Sequence, residues 1–253
     1  MKKRIYLAAI WIFTIACITI GTLYHVFNFG QNSPWFNWMD SGSNITDSNY
    51  IENYDETIDT VIINLKVADI SIVKGSRLGI NYTCSEKLVP SLNYGDGALY
   101  LTQNNGTSIS PFGKTKCDIV LTIPENVTIK SMEISLDMGD INLSNITADT
   151  SNIECSMGDI DISRCSLGTS DITNHMGDCD IENSTFQTLG VKIDMGDIDI
   201  SGYDLSDYAI DASCSMGDIE VNGHEYGTTF KQDGTGTATL TIKNSMGDIE
   251  LEY

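Results

Sequence analysis

The chain writes Met-Gly-Asp six times: Met138-Gly139-Asp140, Met157-Gly158-Asp159, Met176-Gly177-Asp178, Met195-Gly196-Asp197, Met216-Gly217-Asp218 and Met246-Gly247-Asp248. Successive aspartates are 19, 19, 19, 21 and 30 residues apart. Self-similarity at a fixed period near 20 residues marks a stacked-repeat architecture. A unit that short cannot bury an apolar face alone, so its neighbours in the stack must cover it.

The phase of the apolar residues shows how each unit is built. With each Asp as position 0, Ile141, Ile160, Cys179, Ile198, Ile219 and Ile249 stand at +1, and Leu143, Ile162, Ile181, Ile200, Val221 and Leu251 at +3. Before the Asp, position −6 holds Ile134, Ile153, Ile172, Val191, Ala212 and Ile242. Position −4 is mixed, with Leu136, Cys155, Asn174, Ile193, Cys214 and Asn244. Alternation with period two marks half-buried strands. The slip of one position across Gly-Asp fits a corner, where Gly supplies a permissive backbone and Asp tolerates and secures its own turn. The Met at −2 continues the alternation and is expected to face inward as core filler, since an unbranched thioether fills irregular core gaps; a soft-metal site is the weaker alternative. A further apolar position at +8 (Ala148, Leu167, Phe186, Leu205, Tyr226) suggests a third short segment per unit.

The same template finds a disguised copy at Asp69, with Ile63, Leu65, Val67, Ile70 and Ile72 in phase and Ala68 in place of Gly. The expected fold is therefore all-β: a single-domain parallel β-solenoid, or β-helix, of about 19-residue rungs over residues 58–253. Residues 58–130 read as its irregular opening, covering the open edge of the first rung. The 30-residue step before Asp248 reads as a loop or added hairpin around Gly234-Thr235-Gly236. A twisted β-sandwich would also alternate, but sandwich strands do not repeat in sequence at constant period.

The other end of the chain differs. Residues 5–27 form an apolar run of 23 residues, long enough to cross a bilayer. Lys2, Lys3 and Arg4 precede it. The positive-inside rule then predicts a cytoplasmic tail at 1–4, a transmembrane signal anchor at 5–27 and an extracytoplasmic C-terminal domain. A cleaved signal peptide would need a shorter core and a small-x-small site, and a lipoprotein reading at Cys17 fails on Thr14. Residues 28–57 read as an extracytoplasmic linker. Its Trp35 and Trp38 either fold back onto the headgroups or cap the folded domain.

The formal net charge is −21, and the three cations before residue 5 leave about −24 on everything after residue 27. A surface that acidic repels nucleic acid and anionic lipid, so nucleic acid is excluded as a partner. Six cysteines lie outside the apolar run with no C-x-x-C spacing, which gives no support for zinc. Several occupy Ile or Leu positions of the repeat, and the expectation is buried free thiols.

No residue set stands out as catalytic, and no cofactor is expected. Position 0 with position +2 (Asn142, Asp161, Asp180, Asp199, Glu220, Glu250) would make a double row of carboxylates. The bland reading is turn-securing at position 0 and solvation at +2. The weaker alternative is calcium held by Asp159, Asp161, Asp178, Asp180, Asp197 and Asp199. A carbohydrate-active β-helix enzyme would need a cleft whose residues break the repeat. Between residues 131 and 220, Arg164 and Lys192 are the basic residues, and no carboxylate pair departs from the pattern.

The recurring small-Gly-Asp-Ile corners, the phrase from Ile119 to Pro124, the strand run Val61–Ile72 and the N-terminal anchor together resemble the bacterial "putative adhesin" β-strand-repeat family. This is a domain of unknown function common in Gram-positive envelopes. The resemblance covers residues 58–253. Members usually carry Ser where this chain has Met. The resemblance implies a membrane-anchored extracytoplasmic β-solenoid without shared catalytic residues, its partner an envelope protein or cell-wall component. Some relatives sit beside envelope-stress genes. The expected role is a non-enzymatic, adhesin-like interaction module. The alternative is an envelope-stress regulator or protectant.

Overall fold

In the computed structural model, residues 44–51, 57–103 and 116–253 are described. The expected tail at 1–4, the anchor at 5–27 and Trp35 and Trp38 lie outside the described residues. Among the described residues, no helix is long and apolar enough to cross a membrane.

The described chain is almost entirely strand. It runs through β1 (Asn44–Ile51), β2 (Thr57–Val67), β3 (Asp69–Gly75), β4 (Leu78–Ser85), β5 (Ser91–Gly95), β6 (Ala98–Thr102) and β7 (Cys117–Pro124). The regular rungs follow as β8 (Thr128–Met138), β9 (Ile141–Ser144), β10 (Thr147–Cys155), β11 (Ile160–Ser163), β12 (Ser166–Asn174), β13 (Cys179–Glu182), β14 (Thr185–Ile193) and β15 (Ile198–Ser201). The chain closes with β16 (Ala209–Cys214), β17 (Ile219–Val221), β18 (His224–Glu225), β19 (Thr229–Gln232), β20 (Thr239–Asn244) and β21 (Ile249–Glu252).

Each rung is one long strand, the Gly-Asp corner and one short strand. The long strands β8, β10, β12 and β14 pair in parallel in one sheet, and the short strands β9, β11, β13 and β15 do so in a second. Ile153 pairs with Ile134 and Ile172, so equivalent residues stack one strand spacing apart, about 4.8 Å. The inward residues of both sheets form one continuous core, in which Ile134, Ile153, Ile160 and Ile242 are fully buried. The expected third segment does not exist as a separate element. Position +8 lies in the same strand as the following −6, as Ala148 and Ile153 do in β10. A second corner at +5 separates the short strand from the next long one. Asn145, Arg164 and Asn183 adopt left-handed φ of 59°, 52° and 51° there, and Gly202 takes 76°. Asn tolerates this region better than most residues, which suits two of the four.

The rungs do not stack in sequence order. In the second sheet β15 pairs with β21 and β21 with β17, while in the first β14 pairs with β20 and β20 with β16. The last Met-Gly-Asp copy is thus inserted between the fourth and fifth. The 30-residue step does hold hairpin strands: β18 and β19 run antiparallel on the outer edges of β17 and β16. The N-terminal end repeats this arrangement. The outer rung β6–β7 flanks β2–β3, and β5 and β4 cover its two edges antiparallel. An open parallel edge is a template for further strands, and a short antiparallel strand blocks it. The linker reading of 28–57 needs correction at its C-terminal part, because residues 44–51 form β1 and pair with β4 at the edge of the sheet.

The thiol expectation holds for four cysteines and fails for two. Cys155, Cys165, Cys179 and Cys214 are buried and free, whereas Cys84 and Cys117 form a disulfide between the directly paired residues of β4 and β7. The pair lies in the irregular end, where no repeat template relates the two positions.

Candidate functional site

The Met-Gly-Asp corners form one column along the stack, in the spatial order Asp69, Asp140, Asp159, Asp178, Asp197, Asp248, Asp218. Their backbones are joined directly. Gly139, Gly158, Gly177, Gly196 and Gly247 donate their N–H to the carbonyl oxygens of Met157, Met176, Met195, Met246 and Met216.

Beneath each corner sits the −4 side chain, and the structure explains its mixed chemistry. Asn174 and Asn244 are buried, yet each Nδ2 donates to a Gly carbonyl (Gly158 and Gly196) at 2.8 Å. Each Oδ1 accepts the N–H of the following Met, at 3.3 and 3.2 Å. The Cys214 thiol donates to the Gly217 carbonyl at 3.0 Å. A polar group at −4 therefore satisfies backbone atoms that an apolar residue leaves to its neighbours. At the first corner Gln103 does the same from outside. It is 5% exposed, its Oε1 accepts from Lys66 and Val67 N–H, and its Nε2 donates to the Val67 and Leu88 carbonyls.

The aspartates at position 0 secure the next rung rather than their own turn. Asp159 N–H donates to Asp140 Oδ1 at 3.0 Å, Asp178 N–H to Asp159 Oδ1 at 2.8 Å and Asp197 N–H to Asp178 Oδ1 at 2.8 Å. Asp248 then donates to Asp197 at 2.8 Å, and Asp218 to Asp248 at 2.9 Å. Asp140 reaches Asp69 more loosely, at 3.3 Å. One carboxylate oxygen of every Asp in the column except the terminal Asp218 is thereby committed to holding the stack together.

The methionines do not face inward. Met138, Met157, Met176, Met195 and Met246 are 40–46% exposed and Met216 is 62% exposed. The alternation breaks between −4 and −2: β10 ends at Cys155 and β12 at Asn174, and in β8, which runs through −2, Asp137 and Met138 are both exposed. At the Asp69 corner the alternation continues through −2, and Val67 points in and is 7% exposed. The inward expectation describes that copy and not the other six.

Across the corner, the +2 residues form a second acidic column: Asn142, Asp161, Asp180, Asp199, Glu250 and Glu220, paired in register along the short strands. The six aspartates considered for calcium (Asp159, Asp161, Asp178, Asp180, Asp197 and Asp199) thus lie in two parallel lines. Among the described residues, no group of three or more His, Cys, Asp or Glu is gathered to hold a metal ion. His175 lies beside the Met column and pairs with Asp194 at 2.7 Å. At the C-terminal end a hollow of about 520 Å³ opens between Asn222, His224, Tyr226, Phe230, Gln232 and Tyr253. Several of its polar groups serve the cap itself. Gln232 Nε2 donates to the Leu205 and Tyr208 carbonyls, and its Oε1 accepts from the Tyr253 hydroxyl.

This corner column is the setting for the comparisons with known proteins. The family model described as Toastrack DUF4097 matches residues 58–253. The chain belongs to this family. Among solved structures, a "putative cell adhesion protein" from Clostridium sporogenes superposes on the Toastrack chain with a TM-score of 0.55. The two share 13% sequence identity over 83% of this chain and 99% of that one, a likeness of fold. A "putative adhesin" from Bacteroides fragilis reaches a TM-score of 0.45 at 13% identity, covering 84% of this chain and 98% of that one. No curated protein matches the chain.

The +2 column of this Toastrack chain carries an electrostatic cost. Partial burial, with neighbouring carboxylates adding to it, pushes the Asp161, Asp180, Asp199 and Glu250 carboxyls above their ordinary values. Oδ1 of Asp199 is shielded from water and lacks a hydrogen-bond partner. A raised folded-state value means that the folded form holds the proton more tightly than the unfolded chain. These groups therefore favour folding most below the ordinary carboxylate range, and that contribution is lost as pH rises through the raised values. Asp194 runs the other way: the hydrogen bond from His175 holds it low. We expect Asp180→Asn to raise stability at pH 7 by roughly 0.2–1 kcal/mol, the scale of like-charge cross-strand pairs. The gain should shrink as pH falls toward 4, since the wild-type carboxyl then takes up its proton. Melting curves of both proteins across that range test this, and an equal or larger gain at low pH would contradict it.

Proposed function

We propose that this Toastrack protein is a membrane-anchored, extracytoplasmic interaction module of the bacterial envelope, adhesin-like and non-enzymatic. The observation that carries the reading is the corner column. Successive corners offer the same backbone frame and the same Met and Asp side chains at rung spacing. Such a surface is a linear array of equivalent contacts. Contacts made at several rungs together add up to more affinity than any one of them supplies. The apolar run at 5–27 behind Lys2, Lys3 and Arg4 supports the anchor. An envelope protein or cell-wall component is the partner class.

Protease accessibility on intact cells, combined with in-cell crosslinking through the corner column, tests both halves of the proposal. Cleavage of the repeat domain from outside and crosslinks to a distinct envelope component are expected. A domain protected until the cells are lysed, or one that crosslinks to nothing, would overturn it.

The excess of acidic charge favours a second reading, a protectant that captures cationic peptides before they reach the membrane. A deletion strain more sensitive to cationic peptides but unchanged in adherence would select this reading. A glycan-turnover assay addresses the third class, a carbohydrate-active enzyme.

A further inference from the structure

Of the three residues that recur in all six full corners, two are explained by the fold. Gly takes φ between 118° and 142°, and Asp provides the hydrogen bond to the next rung. Met is not explained in this way. It is 40–62% exposed at every copy, so burial gives little reason for an apolar side chain there. Other outward positions vary freely. Position −3 holds Asp137, Ser156, His175, Asp194, Ser215 and Ser245. What the six copies share at −2 is an unbranched side chain ending in a thioether.

We propose that the Met column is a binding site for soft monovalent metal ions, Cu(I) or Ag(I), held between thioethers of adjacent rungs. The backbone hydrogen bonds from each Gly to the next Met fix the spacing, since they place successive Met residues one strand apart. That step is about 4.8 Å. Two metal–sulfur bonds of about 2.3 Å placed end to end span about 4.6 Å. Neighbouring thioethers can therefore take one ion in the two-coordinate arrangement that these d¹⁰ cations accept.

The chemistry is selective. Thioether sulfur is soft and uncharged, so it prefers Cu(I) and Ag(I) to calcium, magnesium or zinc. The aspartate column one residue away draws cations to the surface without competing for a soft ion, and one oxygen of each aspartate except the terminal Asp218 already holds a backbone N–H. Among the described residues, the free thiols that would otherwise outcompete thioethers are buried beneath the sheets. The spatial order Met138, Met157, Met176, Met195, Met246, Met216 gives six sulfurs and hence five adjacent pairs.

The test uses the full-length chain in detergent, labelled with ¹³C at the Met ε-methyls and titrated with Ag(I), and with Cu(I) under anaerobic conditions. The ε-methyl signals of the six column residues should shift together, while Met132, 1% exposed in the core, stays in place. Calcium and zinc should leave all of them unmoved. The triple variant Met157→Leu, Met176→Leu, Met195→Leu keeps side-chain volume and an apolar character. In competition with a Cu(I) chelator it should hold fewer ions than wild type, since of the five adjacent pairs Met246–Met216 alone remains, while melting close to wild type. Equal Cu(I) stoichiometry in wild type and variant, or column methyls indifferent to Ag(I), would overturn the proposal. A variant that loses binding and also its fold would be replaced by the single substitutions, each of which removes two of the five adjacent pairs and should lower the number of ions bound.

Discussion

Replacing Gly177 by alanine should destabilise the domain by about 3 kcal/mol or more, the range of a side chain forced into a glycine-only backbone with a steric collision added. Gly177 has φ 133°, and a Cβ there would collide with the carbonyl oxygen of Gly158 in the adjacent rung. Relief is not local. Moving Gly158 away would lengthen the Gly158 N–H to Met176 O bond and the Asp178 N–H to Asp159 Oδ1 bond, because all of them cross the same interface between rungs. For a domain of this size the loss corresponds to a fall in Tm of about 6–12 °C. The chain contains its own control. Ala68 occupies the equivalent place in the first corner, where its φ is not positive and the Gln103 side chain bonds the N–H and carbonyl of the preceding Val67. Ala68→Gly should therefore cost no more than about 1 kcal/mol, the entropic penalty of the extra freedom. A Gly177→Ala protein melting within about 2 °C of wild type, by the conversion used above, would mean that the corner column is not packed as described.

Removing the Cys84–Cys117 bridge should have an effect of similar size but a different reach. The two residues are 33 apart in sequence, and the chain-entropy model gives about 3–4 kcal/mol for closing a loop of that length. Both positions are almost fully buried, so the double Cys→Ala variant is a cleaner probe than Ser, which would bury two hydroxyls. Units in a stacked array touch their neighbours and little else, so the loss should remain at the N-terminal end. Hydrogen exchange is expected to accelerate in β1, β4 and β7 and to stay slow in β12 to β15. Reductant should reproduce this pattern in the wild type. Uniform acceleration through all rungs would show that the stack unfolds as one cooperative unit, and unchanged exchange in β4 and β7 would show that the bridge contributes nothing.

These two expectations separate what can be read locally from what cannot. The Gly177 effect follows from a six-fold repeat that is plain in the sequence. The bridge joins two cysteines in the irregular opening, and a one-dimensional pattern gives no reason to pair Cys84 with Cys117 over any other two. The same division runs through the site. The acidic column at +2 is legible, because strand alternation fixes which residues face outward once the corner is placed. Calcium among its carboxylates is not decidable from spacing, because two parallel lines of ligands and one converging cage produce the same repeat. Alternation gives the wrong orientation for Met, because the regular pleat stops after −4, at the strand end in β10 and β12 and within the strand in β8. The −4 side chains carry a signal that corrects this. Asn174 and Asn244 at buried positions mark a place where the backbone leaves the ladder and needs side-chain partners.

By itself, then, the sequence determined the unit: strand, Gly-Asp corner, strand, with its inward residues and its period. These follow from local sterics and from the need to bury one face, both of which act within about twenty residues. Only the tertiary structure decided the order of the units, with the Asp248 corner between those of Asp197 and Asp218. Every full rung carries the same register and the same Gly-to-Met and Asp-to-Asp hydrogen bonds, so these contacts fit equally well at any place in the stack and do not rank the places. The choice is made at the ends. There β18 and β19 must lie antiparallel over the outer rung to close its edges, which sends the chain back to fill the place left open inside.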